Sequence, residues 1–212
     1  MKKAFTLVEM LVVIGIIAVL VGVSVASFSK MTKSADRVRA QELVSGVATA
    51  LSALFQTEGN WPKRLATNGG GEGQLDENTA LPLARGGYFS LTTDSPNAPK
   101  QATKLIGLDR FGIVTPWAAD VIRRRGSSAS DGDLVSGGAT VANHRLYYAV
   151  DLDGDGIVEA KVGGELVKIR ATAAVWSLGK SGGDGGKPWP YSVGLKKGDV
   201  YSWGHGQAQK VD

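Results

Sequence analysis

The first thirty residues constrain the fold of this chain more than any other stretch. Lys2 and Lys3 come first, and an apolar run follows from Phe5. From Met10 to Ser29 the sequence has twenty consecutive residues without a charge. A helix needs about 20 apolar residues to cross the hydrocarbon core of a bilayer. The sequence therefore predicts a membrane-spanning helix over residues 5–29, with its N-terminus in the cytoplasm because the lysines precede it.

Glu9 is the charged residue that interrupts this apolar block. A carboxylate at the centre of a membrane helix costs about 2.5–3.5 kcal/mol, and less near an interface. Such a group needs a cation or a hydrogen-bond donor as its partner. Glu9 is therefore a candidate functional residue, although a carboxylate that reaches the cytoplasmic headgroups would also be tolerated.

Three interpretations fit this N-terminus. A secretory signal peptide would be cleaved after Ala26, but its apolar region normally has only about 7–15 residues. A plain signal anchor would have no further role. The third interpretation rests on the residues from Ala4 to Leu11, AFTLVEML, which resemble the prepilin cleavage and methylation motif of type IV pilins. We favour the third because a basic leader, an aromatic residue, a glutamate and a spanning run occur together.

The resemblance to type IV pilins implies specific processing and assembly steps. A prepilin peptidase would cleave between Ala4 and Phe5 on the cytoplasmic side, and Phe5 would be N-methylated. Ala4 stands where the family usually has glycine. In the family, the residue that matches Glu9 pairs with the N-terminal amine of a neighbouring subunit. The implied partners are the peptidase, other copies of this chain in a filament, an inner-membrane assembly platform, and other minor pilins or pseudopilins.

The helical pattern continues beyond the apolar block and becomes amphipathic. The apolar residues that recur at helical spacing are Leu43, Val47, Leu51, Leu54 and Phe55. This stripe is suited to packing on a sheet. The sequence Gly-Asn-Trp-Pro over 59–62 ends the run. We therefore expect one helix from about Phe5 to about Thr57.

The rest of the chain predicts a β-rich head. Residues 146–150, 157–162 and 165–176 are rich in β-branched and aromatic side chains, and the last stretch alternates apolar with polar residues. Glycine-rich turns over 153–156 and 163–164 separate them. The fold class is α+β. The resemblance implies a pilin fold, in which one long N-terminal helix packs on a C-terminal antiparallel β-sheet with Gly-rich loops.

These patterns divide the chain into consecutive segments. They are a cytoplasmic leader peptide (1–4), a transmembrane and polymerisation half-helix (5–29), an amphipathic half-helix packed on the head (30–57) and an exported globular head (58–212). Within the head we expect a variable loop over 63–104 and a β-meander over 145–203.

An acidic loop between two predicted strands is a candidate metal site. Asp151, Asp153 and Asp155 have the spacing of the first ligands of an EF-hand loop, with Gly156 at the sixth position. Val162 stands where that loop has its closing bidentate carboxylate. Two interpretations stay open, a calcium loop and a glycine-rich hairpin turn.

Two further elements resemble the major pseudopilins of type II secretion systems. Residues 109–112, Asp-Arg-Phe-Gly, are close to an Asp-Pro-Trp-Gly element of that family, and Trp-Ser-Leu-Gly over 176–179 leads into a Gly-rich loop. In the family this loop has a calcium site, which implies Asp184 and Asp199 as further candidate ligands. Calcium is thus the one cofactor that the sequence raises.

Charge and residue types limit the other function classes. Lys and Arg number 24 against 20 Asp and Glu, a net charge of +4 that calls for no nucleic-acid partner. The chain has no Cys, and its two His lie in different segments. No nucleophile, base and oxyanion donor are brought together, so we expect no enzyme.

The expected function is structural. We predict a filament subunit of the bacterial inner membrane, with a single span, a cytoplasmic N-terminus and a head in the periplasm or at the cell surface. The resemblance places it in the pseudopilus of a type II secretion system. Two alternatives stay open: a type IV pilin of a surface fibre for adhesion, motility or DNA uptake, and a membrane-tethered binding module that does not polymerise.

Overall fold

A computed structural model describes residues 7–66, 70–86, 90–91, 107–108, 111–136, 138–180, 195, 199–204 and 207–211. At 23–33, 85, 90–91, 107–108 and 136 the description covers the backbone alone. The chain divides into two units, residues 1–38 and residues 39–212.

The regular elements of these residues are mostly short, apart from the first helix. The helices are α1 Leu7–Glu58, α2 Lys63–Ala66, α3 Glu77–Arg85 and α4 Pro116–Arg125, with 3₁₀ turns at Gly126–Ser128 and Ala142–His144. The strands are β1 Glu72–Gln74, β2 Ser90–Leu91, β3 Gly107–Leu108, β4 Leu134–Ser136, β5 Ala139–Thr140, β6 Tyr147–Val150, β7 Ile157–Val162, β8 Glu165–Arg170, β9 Ala173–Ser177, β10 Val200–Tyr201 and β11 Ala208–Lys210.

Helix α1 ends at Glu58, next to the end expected from the sequence. Gly59 follows with a φ of 70°, and its N–H donates to the carbonyl of Phe55 at 2.8 Å. A left-handed glycine is a common way to terminate a helix because it costs no Cβ clash. Over the described residues, no helix is both long enough and apolar enough to cross a membrane. The span predicted over 5–29 also includes residues 5 and 6 and the side chains of 23–29, which lie outside that description.

Two antiparallel sheets form the centre of the second unit. Sheet 1 has the strand order β1-β6-β9-β10, and sheet 2 has the order β11-β8-β7. Two smaller pairs, β2 with β3 and β4 with β5, lie outside these sheets. The protein is therefore α+β, with an N-terminal helix and a C-terminal antiparallel sheet. This arrangement is consistent with the pilin fold and confirms the predicted class.

The two faces of sheet 1 contribute to two different cores. The core of the helical side joins Ala40, Val44, Val47, Leu51 and Leu54 of α1 to Tyr148, Val150, Ala173 and Val175. The core of the other side joins Ala149, Ala174 and Trp176 to Val158, Ala160, Val162, Val167 and Ile169 of sheet 2. Because alternate residues of β6 and β9 enter opposite cores, sheet 1 is the middle layer. All five residues of β9 are buried.

The single strand predicted over 165–176 is wrong, because the chain bends at residues 171–172 and changes sheet. β8 pairs with β7 in sheet 2, whereas β9 pairs with β6 in sheet 1. Both strands have alternating apolar residues, so the period-two pattern runs through the bend without a break. The β7–β8 hairpin is therefore inserted between two strands that are neighbours, and the order differs from a simple meander.

The segment expected as a variable loop over 63–104 contains regular structure. Helix α2, strand β1 and helix α3 lie within it. Asp76 caps α3, since its carboxylate accepts the backbone N–H of Thr79 at 2.8 Å. Helix α3 has only nine residues and includes Pro82. Such a short helix gives too little periodicity to stand out in the sequence.

Candidate functional site

The predicted processing and assembly residues lie at the start of the chain. Ala4 and Phe5 fall outside the described residues. Glu9 lies in the first turn of α1, and its side chain is exposed. The unpaired backbone N–H groups of a first turn favour a carboxylate there. The helix therefore presents this carboxylate on its surface, and the assembly role of Glu9 stays a prediction.

The apolar side chains that follow Glu9 are exposed around the helix. Their exposed fractions run from 47% at Val13 to 68% at Val19. The set, with the two residues that precede Glu9, is Leu7, Val8, Met10, Leu11, Val12, Val13, Ile14, Ile16, Ile17, Val19, Leu20 and Val21. A helix that is apolar on every side buries this surface against lipid or against other helices. Residues 7–21 therefore form an exposed apolar surface.

In the head, the three loop aspartates converge. One carboxylate oxygen from each of Asp151, Asp153 and Asp155 lies within 4.8 Å of the other two. Asp151 is buried, and its two oxygens accept the backbone N–H groups of Gly154 at 2.7 Å and Gly156 at 2.8 Å. The loop is thus held in shape by hydrogen bonds of its own, as in an Asx-type turn.

Two further positions of the EF-hand pattern are engaged elsewhere in the fold. Val162, at the twelfth position of that pattern, is fully buried between the two sheets. Glu159, at the ninth position, forms an ion pair of 2.7 Å with Lys168, and this hydrogen bond raises the pKa of Lys168. The three aspartates fit a weak divalent-cation site that lacks the closing bidentate carboxylate. The hairpin turn accounts for their geometry without an ion, and calcium stays a prediction.

Trp61 holds the acidic loop from the side of α1. Its indole N–H donates to the backbone carbonyl of Asp151, and its ring stacks on Phe55 with centroids 4.8 Å apart. A cavity of about 350 Å³ opens beside this pair and is also lined by Leu152 and Asp153. The sequence indicates Trp61 only as part of the junction between helix and head. No local sequence pattern indicates that Trp61 contacts Asp151, because the two residues lie far apart in the chain.

The second predicted calcium site stays untested. Asp184 lies outside the described residues. Asp199 directly precedes β10 and is buried, with 7% of its surface exposed. In the part of the chain that the structure describes, Asp199 does not join the cluster of the three loop aspartates.

His144 is a buried histidine in the 3₁₀ turn Ala142–His144, and it contacts Thr115, the residue that precedes α4. Its Nδ1 lies 2.9 Å from the hydroxyl of Thr115, and its Nε2 has no hydrogen-bond partner among the described residues. Burial lowers the pKa of His144 to about 4, so the ring is neutral near pH 7. Thr115 makes no side-chain cap to α4, because its hydroxyl contacts the ring. The arrangement is that of a packed, neutral histidine.

Phe111 and Gly112, the described half of the 109–112 element, have a packing role. Phe111 is buried in a small core with Val121 and Val141. Gly112 has a φ of 82°, and a Cβ there would lie 2.2 Å from the carbonyl oxygen of Leu75. Only glycine fits this close approach of two backbone segments. Asp109 and Arg110 lie outside the described residues.

Comparison with known proteins bears on the N-terminus. An exposed apolar helix begins just after a basic leader, and it leads into an α+β head. The family model of the prokaryotic N-terminal methylation motif matches residues 1–25. The chain therefore has a prepilin-type leader, which supports a type IV pilin-like subunit that prepilin peptidase processes and that assembles into filaments. No solved structure matches the chain.

Proposed function

We propose that this chain is a structural subunit of a pilus-like filament, namely the pseudopilus of a type II secretion system that drives protein export. Before assembly the subunit resides in the inner membrane, and it enters the filament through its N-terminal helix. The observation that carries the proposal is the prepilin-type leader joined to a helix whose apolar side chains, from Leu7 to Val21, are exposed. The proposal assigns no enzymatic activity to the chain.

The N-terminal helix serves two environments in succession. Before assembly, residues 5–29 lie in lipid, where every backbone group of a helix is satisfied internally. In the filament, the same apolar surface packs against the helices of other copies. Cleavage after Ala4 creates an amine at Phe5, and the carboxylate of Glu9 pairs with the amine of a neighbouring copy. This pairing sets the axial register, because each charge is costly to bury alone.

The secretion assignment is supported by the head. Phe111 and Gly112 are structural elements of the fold, at the place where the sequence resembles the pseudopilins. Trp176 is buried between the sheets and is the first residue of the Trp-Ser-Leu-Gly element, which leads into the Gly-rich loop of the second resemblance. The resemblance of these residues to the pseudopilins is what supports a pseudopilin over a pilin of a surface fibre.

The intact mass of the purified protein tests the leader. We expect a mature chain that begins at N-methylated Phe5. A chain that begins at Ser27 would identify a signal peptide and an exported protein without an anchor. A chain that keeps its first four residues would identify a plain anchor. Either of these results contradicts the proposal.

The assembly role of Glu9 is tested by cross-linking in membranes that also contain the peptidase and assembly platform. Glu9→Ala should leave membrane insertion intact and remove the ladder of high-order cross-links. The matched control is Glu42→Ala, since Glu42 is an exposed glutamate of the same helix and should leave the ladder unchanged. A full ladder of cross-links from Glu9→Ala would contradict the pairing of Glu9 with the amine of a neighbouring copy.

Surface imaging separates the secretion pseudopilus from the surface fibre. We expect deletion of the chain to abolish export of secreted proteins, without long filaments in the sheared fraction of the parent cells. Long surface filaments with normal export would instead identify a type IV pilin. Normal export with neither filaments nor cross-links would identify a membrane-tethered module.

A further inference from the structure

Among the strands that the structure describes, β7 lies at an edge of sheet 2, and its hairpin fixes which of its backbone groups face outward. Gly163 and Gly164, with φ values of 60° and 91°, form the two-residue turn, and Val162 lies opposite Glu165. The pair that closes such a turn is hydrogen-bonded, and hydrogen-bonded pairs then alternate along the hairpin. The N–H and C=O groups of residues 157, 159 and 161 therefore point away from β8.

Carboxylates occupy two of the three outward N–H groups. The N–H of Ile157 donates to Asp155 at 2.7 Å, and the N–H of Lys161 donates to Oε2 of Glu72 at 2.8 Å. Within the described part of the chain, the N–H of Glu159 has no partner. Glu72 belongs to β1 in the other sheet, where it pairs with Ala149. Its carboxylate thus reaches across from one sheet to close the edge of the other.

A carboxylate is an effective block at a strand edge. It takes the donor that an incoming strand would need, and its charge repels the carbonyl oxygens of that strand. Proteins use inward-pointing charges in this way to keep exposed edges from pairing with other chains. Glu72 is well placed for this role because β1 is itself held by sheet pairing, so its side chain starts from a fixed backbone.

The sequence of β7 is complementary to itself in one antiparallel register. If two copies pair about Ala160, Glu159 of each copy faces Lys161 of the other. Glu159, which pairs with Lys168 within its own subunit, thereby gains a second opposite-charge neighbour. The pairing is two-fold symmetric, as in most homodimers. In this register the N–H of Lys161 donates to the carbonyl of Glu159 in the other copy. This N–H is the group that Glu72 occupies in the single subunit.

We propose that the outer edge of β7 is a strand-pairing surface for a second copy of this chain, and that the carboxylate of Glu72 keeps it closed in the single subunit. Removal of that carboxylate opens the edge and allows the two sheets to join. The proposal does not depend on the filament function, because it concerns the head alone.

Sedimentation velocity of the full-length chain in detergent measures this self-association. Glu72→Ala should lower the dissociation constant for dimers at least tenfold relative to the unchanged chain. The matched control is Glu165→Ala, which removes an exposed carboxylate from the same hairpin, paired with Lys210 at 3.6 Å, and leaves the edge closed. It should behave as the unchanged chain, which also corrects for association through α1.

A second substitution shows whether the dimer forms through the edge. Lys161→Pro removes the outward N–H, and proline is tolerated at a strand edge where its nitrogen faces away from the sheet. Glu72→Ala combined with Lys161→Pro should return the dissociation constant to within twofold of the unchanged chain. Dimers that persist in the double variant, or a Glu72→Ala chain with unchanged association, would overturn the proposal.

Hydrogen exchange of the unchanged chain tests the closed edge without any variant. The amide of Lys161 should exchange at least tenfold more slowly than the amide of Glu159, since only the first is hydrogen-bonded within the described structure. Equal exchange at both amides would show that Glu72 does not close the edge. This measurement tests the closed edge even where Glu72→Ala fails to fold.

Discussion

Substitution of Gly112 by alanine should destabilise the head more than substitution of any glycine in an open turn. The φ of Gly112 is 82°, and a left-handed backbone costs a residue with a Cβ about 1–2 kcal/mol. The new Cβ would also lie 2.2 Å from the carbonyl oxygen of Leu75 and 2.6 Å from the Cα of Asp76. Both neighbours are backbone atoms, so no side-chain rotation can relieve the contact.

The clash must separate two paired backbone segments. The N–H of Ile113 donates to the carbonyl of Leu75 at 2.9 Å, and the N–H of Leu75 donates to the carbonyl of Leu146 at 2.8 Å. Loss of a hydrogen bond of this kind costs about 1 kcal/mol. With both bonds lost and the backbone strain added, Gly112→Ala should lower the free energy of unfolding by about 3–4 kcal/mol.

Gly154→Ala is the matched control for this measurement. Its φ of 79° is nearly the same, but a Cβ at Gly154 would meet nothing within 4 Å. It should therefore cost only the backbone strain of about 1–2 kcal/mol. Urea unfolding of the full-length chain in detergent, followed by the fluorescence of its five tryptophans, gives both values. If Gly112→Ala costs no more than Gly154→Ala, the steric explanation is refuted.

Two further predictions concern titration and metal binding. Burial lowers the pKa of His144 from 6.5 to about 4, so below pH 6.5 the unfolded chain binds a proton at this ring and the folded chain does not. The free energy of unfolding should therefore fall as the pH drops from 6.5 to 4, by at most about 3 kcal/mol. Urea unfolding across this range should show the loss in the unchanged chain and not in His144→Phe; parallel pH profiles would contradict it. The loop of Asp151 should bind Ca²⁺ no more tightly than about 1 mM, because it lacks the closing carboxylate. Calorimetry that shows tighter Ca²⁺ binding, lost in Asp153→Asn, would contradict the explanation of this loop as a turn held by its own hydrogen bonds.

The sequence predicts the elements that have a strong and simple period. The stripe of α1 lies where helical spacing puts it, since Val47, Leu51 and Leu54 are buried in the head core. The hairpin turn at Gly163 and Gly164 also follows from local chemistry, because these positions need positive φ values. Such features depend on a few adjacent residues, so the pattern alone determines them.

The features that depend on distant contacts could not be predicted in this way. The alternation of apolar and polar residues through β8 and β9 does not indicate that the chain changes sheet at residues 171–172. The contact of Trp61 with Asp151, and that of Glu72 with Lys161, join residues 90 and 89 positions apart. The three aspartates of the loop could be placed together from their spacing. Their hydrogen bonds to Gly154 and Gly156, which hold the turn without an ion, required the folded geometry.

The position of β9 has a consequence for the order in which the head can form. The buried stripe of α1 ends before Glu58, but the strands that share its core begin only at Tyr147 and Ala173. While the chain is being made, this stripe can therefore pack only on earlier residues of the same core, such as Leu65, Leu81 and Leu83, until most of the head has emerged. Contacts between such distant segments form slowly and leave apolar surface open in the meantime. A chain truncated before Ala173 should accordingly have an aggregation-prone, protease-sensitive helix rather than a smaller stable head.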